Sequence, residues 1–234
     1  MSETVKQSKK APKKKPDTKG KALKRRVAEA EARKAELDVQ RAELNWELDQ
    51  LRADEARLTY NLKTNSDLAH GHFALEKSVG RTAVDLAADI RQYARTFPEA
   101  PVTLNIFSPG GSLLDGLVLY DTLRTVAAQG HLVTTVARGY AASMAAVLFL
   151  AGDVRLMGAE AEIMVHSLSA GGGGSLHELE DDLKFYKKLQ GKLDGIITGR
   201  TKITQDLLDK KTKKADWWIS GPEALKLKVA HEVI

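Results

Sequence analysis

The sequence predicts an α/β fold preceded by one long N-terminal helix. Apolar residues recur with a heptad spacing from Val27 onward, and no proline or glycine interrupts residues 22–60. Beyond residue 71, short apolar runs alternate with longer helical patterns. Such alternation is typical of a largely parallel sheet covered by helices.

The first 20 residues are predicted to be a disordered basic arm. Their apolar residues are Met1, Val5 and Ala11, too few to offset the entropy lost on ordering. Residues 1–26 hold eleven Lys and Arg residues against two acidic ones, a net charge of +9, whereas the whole chain carries +5. This arm is expected to bind nucleic acid or an acidic partner by counterion release, or to act only as a solubilising tail.

Residues 21–62 are predicted to form a coiled-coil helix. The a positions of the heptad are Val27, Lys34, Arg41, Leu48, Glu55 and Leu62, and the d positions are Ala30, Leu37, Leu44, Leu51 and Leu58. Leucine at four successive d positions forms a narrow seam, which favours self-association over a single amphipathic helix lying on the body. The charged a positions are expected to set the register or the partner.

A polar linker is expected at residues 63–71, followed by an α/β domain at 72–234. The predicted strands are at 73–75, 102–106, 132–137, 162–166 and 217–219. The predicted helices are at 82–97 with Thr82 as the cap, 113–127, 143–150 and 176–197, with a short helix capped by Thr204 and another opened by Pro222.

Composition excludes several classes of chemistry. The chain has no cysteine, so disulfides, thiolate metal sites and cysteine nucleophiles are excluded. The longest apolar stretch, residues 141–152, is shorter than the roughly 20 residues that span a bilayer. The lysine-rich N-terminus lacks the apolar core of a signal peptide, so a cytoplasmic location and no membrane partner are expected.

Ser143 is a candidate nucleophile. It lies between a predicted strand and an apolar helix, where backbone N–H groups and the helix dipole favour developing negative charge. An ordinary N-cap serine is the alternative. A second strand-to-helix junction, Pro109-Gly110-Gly111-Ser112, supports catalysis because its glycines let a backbone N–H approach a substrate oxygen.

His166 is the candidate base, because an apolar strand runs directly into it. The other histidines form no cluster with metal-ligand spacing; they are His70, His72, His131, His177 and His231. A carboxylate is needed to orient the imidazole, and Asp216 lies just before a predicted strand. The residues alone do not select it over Asp181, Asp182 or Asp209.

Five segments occur in the order and near the spacing of the Clp protease proteolytic subunit family, which the chain resembles over about residues 72–234. They are FSPGGS (107–112), YDTL (120–123), GYAASM (139–144), MVH (164–166) and DWWISGPEA (216–224). The resemblance implies the spiral ββα fold that this family shares with crotonases. It also implies that the long helix at 176–197 is the handle by which two rings meet.

By this resemblance, the chain is expected to be a serine endopeptidase with no cofactor and no metal. Ser143 corresponds to the nucleophile, His166 to the general base and Asp216 to the orienting acid, and the N–H groups of Gly111 and Met144 correspond to the oxyanion hole. An extended substrate is expected to pair beside residues 111–113 and 168–170, which gives as substrate-binding residues Ser112, Leu113, Leu168 and Ser169.

The resemblance further implies homo-oligomeric, heptameric rings and an ATPase unfoldase partner. Three departures stand out: Ala145 replaces the usual glycine, Ser167-Leu168 replaces Gln-Pro after His166, and the loop before the nucleophile segment is longer. The N-terminal region does not resemble the family's axial loops, which meet the ATPase. Similar divergent relatives lie in phage head-assembly gene clusters, which implies processing of capsid or scaffold protein in a host cytoplasm.

Three alternatives remain at this stage. A crotonase-type acyl-CoA enzyme would use the two oxyanion N–H groups without needing the three triad residues together. An assembly or scaffold protein would keep the coiled coil and basic arm with a relic active site. A Ser–Lys dyad would use Lys184 or Lys187 as the base.

Overall fold

The computed structural model describes residues 18–64, 66–169, 171 and 173–234. Most of the predicted disordered arm, residues 1–17, lies outside the described residues. The chain divides into two units, residues 1–55 and 56–234. No helix in the described part of the chain is both long and apolar enough to cross a membrane.

One continuous helix, α1 (Thr18–Thr64), occupies the region where the coiled coil was predicted. Its described side chains between residues 23 and 56 are all exposed. The predicted linker at 63–71 contains the end of this helix and a short second helix, α2 (Ser66–Ala69). Two hydrogen bonds, from the N–H groups of His70 and Gly71 to the carbonyls of Asp67 and Leu68, close the turn that follows.

The second unit is an α/β domain that opens with alternating strands and helices. Its first elements are β1 (His72–Leu75), α3 (Arg81–Thr96), β2 (Val102–Ser108), α4 (Leu113–Ala128), β3 (Val133–Ala142) and α5 (Met144–Phe149). The later elements are β4 (Val154–Met157), β5 (Glu162–Val165), α6 (Leu176–Arg200), α7 (Gln205–Thr212), β6 (Trp217–Ile219), α8 (Gly221–Lys226) and β7 (Glu232–Val233).

The strands of the described residues form one sheet in the order β1-β2-β3-β4-β7, with β5 also paired to β3 and β6 to β5. Every pairing is parallel except that of β5 with β6. The predicted parallel α/β architecture is therefore confirmed. Side chains that point inward from the strands, such as Leu104, Ile106 and Ile163, are at most 1% exposed and form the core with α3, α4 and α5.

Several local predictions need correction. The cap of α3 is Gly80 rather than Thr82, whose hydroxyl donates to the Ser78 carbonyl. Strand β3 extends five residues beyond the predicted end at Ala137, to Ala142. Strands β4 and β7 were not predicted: Arg155 interrupts the apolar pattern of β4, and β7 has only two residues.

Candidate active site

Three neighbouring strands bring the three candidate triad residues to one edge of the sheet. Ser143 directly follows β3, and His166 directly follows β5, which runs parallel to β3. Asp216 directly precedes β6, which runs antiparallel to β5. The start of β6 therefore lies at the edge where β3 and β5 end.

Ser143 occupies a strained turn between β3 and α5. Its backbone has φ 56° and ψ −124°, in the left-handed region that residues with side chains rarely adopt. Conformations of this kind cost about 1–3 kcal/mol and persist where the surroundings enforce them. Here the Ser143 N–H donates to the Met164 carbonyl at 2.8 Å, which fixes the turn against β5. The sharp strand-to-helix turn presents the hydroxyl at its apex.

Ser143 and His166 are in direct hydrogen-bond contact. The distance from Ser143 Oγ to His166 Nε2 is 2.7 Å, and both residues are half-buried. With the proton of the neutral imidazole on Nδ1, Nε2 accepts the bond from the serine hydroxyl. A general base in this position takes the hydroxyl proton as the oxygen attacks.

Asp216 lies opposite His166 if the β5–β6 register is continued by one residue. The observed pairing ends with Val165 and Trp217, and its continuation would place His166 opposite Asp216. Directly opposed residues of antiparallel strands have Cβ atoms about 4.5–5.5 Å apart. No hydrogen bond joins His166 Nδ1 to a carboxylate within the described ranges, and the Asp216 side chain is exposed.

The other candidate acids and bases have different neighbours. Asp181 lies 3.0 Å from Lys184 Nζ and 3.6 Å from His177 Nε2 on the exposed part of α6. Asp209 accepts a hydrogen bond from Gln205 at 2.8 Å. The base that contacts Ser143 is His166, so the geometry disfavours a Ser–Lys dyad. The described side chains also contain no group of three or more metal-ligating residues.

The Gly110–Gly111 turn brings a backbone N–H beside Ser143. The Gly110 carbonyl accepts from the Val79 N–H at 2.8 Å, and the Ser112 N–H donates to the Val79 carbonyl at 2.7 Å. Between these two bonds, the Gly111 N–H makes no backbone hydrogen bond within the described residues. Met144 is the first residue of α5, so its N–H has no partner in the preceding helical turn. Two such donors next to a serine can stabilise an oxyanion.

Gly110 allows this close approach. A Cβ built on it would lie 2.5 Å from the Ala142 carbonyl oxygen and 2.7 Å from Ser143 Cβ, and its φ is +87°. The buried Ser108 hydroxyl donates to the Lys77 carbonyl at 2.6 Å and accepts from the Gly110 N–H at 3.2 Å. The turn is thus held on both sides while it contacts the start of α5.

Three arginines hold the opposite end of α5. Arg200 donates to the carbonyls of Leu150 and Gly152 at 2.7 Å each, and Arg124 donates to Ala151 at 2.9 Å. Arg155 donates to Gly152 at 3.2 Å, and burial, followed by the neighbouring Arg200, lowers its pKa to about 10. Positive charge at a helix C-terminus is favourable, and these bonds also pair carbonyls that the helix leaves free.

A cavity with largely apolar walls lies next to the Ser143–His166 pair. Its lining residues are Gly111, Leu113, Ser143, Met144, Val147, Val165, His166, Leu168, Gln190, Leu193 and Ile197. The apolar side chains from α4, α5 and α6 suit an apolar substrate side chain.

The predicted substrate-binding residues divide into two groups. Leu113 and Leu168 line the cavity, whereas Ser112 caps α4 by accepting from the Asp115 N–H at 3.4 Å. Ser169 is exposed and does not line the cavity. Ala170, at the end of the predicted substrate segment, lies outside the described residues.

Sequence reasoning missed Gln190. Its Oε1 accepts from the Leu168 N–H at 2.6 Å, and its Nε2 donates to Asp194 at 2.7 Å. This side chain fixes the segment two residues beyond His166. A glutamine on a long polar helix gives no signal in a single sequence, so only the fold identifies it.

The model of the Clp protease family matches residues 70–234 of this chain. The chain belongs to the Clp protease family. It is similar to the ATP-dependent Clp protease proteolytic subunit of Deinococcus radiodurans, with 36% identity over 139 residues, which is 58% of this chain. The matched part spans 66% of that relative's length. The family assignment inferred from the five segments is therefore confirmed, and with it the Clp-protease fold class.

Proposed function

We propose that this Clp protease family member is a serine endopeptidase that works through an acyl-enzyme. The observation that carries the proposal is the 2.7 Å contact between Ser143 Oγ and His166 Nε2 at the start of α5. A crotonase-type acyl-CoA enzyme would not need this pair, and a relic site would have no reason to retain it. Family membership supports the same reaction.

In the proposed mechanism, Ser143 Oγ attacks the peptide carbonyl carbon as its proton passes to His166 Nε2. The N–H groups of Gly111 and Met144 donate to the oxyanion that develops. His166 then gives the proton to the leaving amine, and the acyl group remains on Ser143. In the second half-reaction, His166 takes a proton from water as the water oxygen attacks the acyl carbon. The bond between that carbon and Ser143 Oγ then breaks, His166 returns the proton to Ser143 Oγ, and the carboxylic acid leaves.

The direct test combines covalent labelling with peptide cleavage. The full-length protein is incubated with a fluorophosphonate probe, and the modified peptide is identified by mass spectrometry. We expect the adduct on Ser143, together with cleavage of fluorogenic peptides whose residue before the scissile bond is apolar. An adduct confined to another serine would contradict the proposal.

Asp216→Asn tests the third member of the proposed triad. Rotation of the exposed Asp216 side chain toward His166 would let its carboxylate accept a hydrogen bond from the Nδ1–H group. Because an asparagine cannot stabilise the imidazolium, we expect kcat to fall by about 10²- to 10⁴-fold. Asp209→Asn is the matched control and should leave kcat nearly unchanged. Wild-type kcat in Asp216→Asn, with loss in another carboxylate variant, would transfer the role to that residue.

Gln190→Leu tests the proposal that residues near 168 bind substrate. The change removes the acceptor for the Leu168 N–H at similar side-chain volume, so the segment beside His166 loses one anchor. A hydrogen bond of this type is worth about 0.5–1.5 kcal/mol, so we expect kcat/KM to fall by about 2- to 13-fold, mainly through KM. Lys188→Leu, at an exposed position of the same helix, is the control. Equal effects of the two changes would contradict a specific role for Gln190.

We also propose that the chain assembles into rings, with α6 at a contact between copies. Near its N-terminal end α6 exposes Leu176, Leu179, Leu183 and Phe185, which are 38–82% exposed in the single chain. Sedimentation of the full-length protein is expected to show a multi-subunit species, in the simplest case heptameric rings. Leu183→Glu, which places charge in this apolar face, is expected to reduce the size of the assembly. A wild-type chain that stays monomeric at every concentration would contradict the proposal.

A further inference from the structure

The exposed apolar seam of α1 identifies an interaction surface outside the catalytic domain. Its large members are Val27, Leu37, Leu44, Leu48 and Leu51, each 48–63% exposed. They follow the a and d positions of the heptad on one continuous helix. A seam of this kind is buried by another helix with the same spacing.

The charge along α1 is divided between its two halves. Residues 24–34 contain five basic and two acidic side chains, a net charge of +3. Residues 35–55 contain two basic and seven acidic side chains, a net charge of −5. A second copy that runs in the opposite direction places each basic half beside an acidic half, so α1 is complementary to itself in this orientation.

The charged a positions favour the same orientation. In a parallel, in-register pair each a residue faces its own copy, so that Lys34 meets Lys34 and Arg41 meets Arg41. In an antiparallel pair centred on Val39, Lys34 faces Leu44 and Arg41 faces Leu37. Their aliphatic stems then lie along leucine while the charged ends reach water. No core layer then pairs two like charges.

One pair of positions that flank the seam also brings opposite charges together in this register. Arg33 of one helix lies opposite Glu47 of the other, at the g positions of the heptad. The remaining core layers are Val27 against Leu51, Ala30 against Leu48 and, at each end of the pair, Leu23 against Glu55. The paired segment, residues 23–55, is about 50 Å long at 1.5 Å per residue.

We propose that α1 pairs antiparallel with α1 of a second copy of this chain, in the register that places Lys34 against Leu44. Opposite charge and seam geometry both select the second copy as the occupant of this surface. The inference is independent of the proposed peptidase activity, because it involves only residues of α1.

Disulfide trapping in the full-length chain tests this orientation, since the native sequence has no cysteine. Ala30→Cys and Leu48→Cys proteins carrying different tags are co-expressed and oxidised mildly. The antiparallel register brings position 30 of one copy against position 48 of the other. We expect the mixed disulfide to exceed either homodisulfide by at least tenfold.

The control pair is Ala28→Cys with Gln50→Cys, which has the same register but lies on the outer face of the helix. It should give at most a tenth of the mixed product. Predominant 30–30 and 48–48 disulfides would show a parallel pair and overturn the proposal. Equal yields from seam and control pairs, or no disulfide at all, would show that the seam does not join two copies.

Discussion

Ser143→Ala is expected to abolish both peptide cleavage and fluorophosphonate labelling. The hydroxyl at this position is the one that His166 contacts, and alanine leaves no oxygen to form the acyl bond. Loss of a serine nucleophile costs about 10⁶-fold in kcat where the triad acts as a unit. A continuous fluorogenic assay and in-gel detection of the probe measure the two effects.

The control for Ser143→Ala is that the variant keeps the fold and the assembly of the wild type. Because Ser143 has φ 56°, alanine there keeps the same strain, and circular dichroism and sedimentation should match the wild type. His166→Ala is expected to lower kcat almost as far, and the double variant no further than either alone. Full labelling in Ser143→Ala, or additive losses in the double variant, would contradict the assigned roles.

Gly110→Ala is expected to produce the second largest loss, although this residue has no side chain to react. The new methyl group would lie within 2.7 Å of the Ala142 carbonyl oxygen and of Ser143 Cβ, so the turn must move away from α5. The Gly111 N–H moves with it. Loss of one oxyanion donor costs about 10²–10³-fold in kcat, which steady-state kinetics will detect.

Gly130→Ala separates the effect of contact from that of backbone strain. Gly130 also has a positive φ, of +101°, but its added Cβ meets only Glu99 Cγ, at 3.7 Å. Both variants pay a similar conformational cost, and both are expected to lose some thermal stability. Among the folded proteins, only Gly110→Ala should lose activity. Equal kcat in the two folded variants would contradict a catalytic role for the Gly110–Gly111 turn.

The sequence predicts those parts of the fold that depend on local patterns. Alternation of apolar residues predicts the strands at 102–106 and 217–219. Capping chemistry predicts the helix cap Thr204, and the same chemistry accounts for the cap Ser175, which the sequence analysis does not predict. Strand β4 is not predicted because Arg155, a charged residue within it, is of a type usually found at the surface. In the fold, Arg155 is 4% exposed and is buried because its guanidinium donates to carbonyls distant in sequence, including Val229 at 2.7 Å.

The candidate site also combines residues that local patterns predict with one that depends on strand register. A serine at a strand-to-helix junction and a histidine at a strand end are visible in one sequence. The choice of Asp216 among four carboxylates depends on strand register, which joins residues about fifty positions apart. Local spacing carries no information about strand register, so the choice of Asp216 depends on the family resemblance. The role of Asp216 in catalysis is still a prediction.

Helix α5 also acts as a spacer of fixed length. Its six residues separate the carbonyls held by three arginines from the N–H group at Met144. Inserting or deleting one residue within it would turn one end by about 100° relative to the other. With the arginine end fixed, the start of the helix would then face away from the Gly110–Gly111 turn. Changes in chain length between relatives should therefore be tolerated in the loops that flank this helix and excluded from its interior.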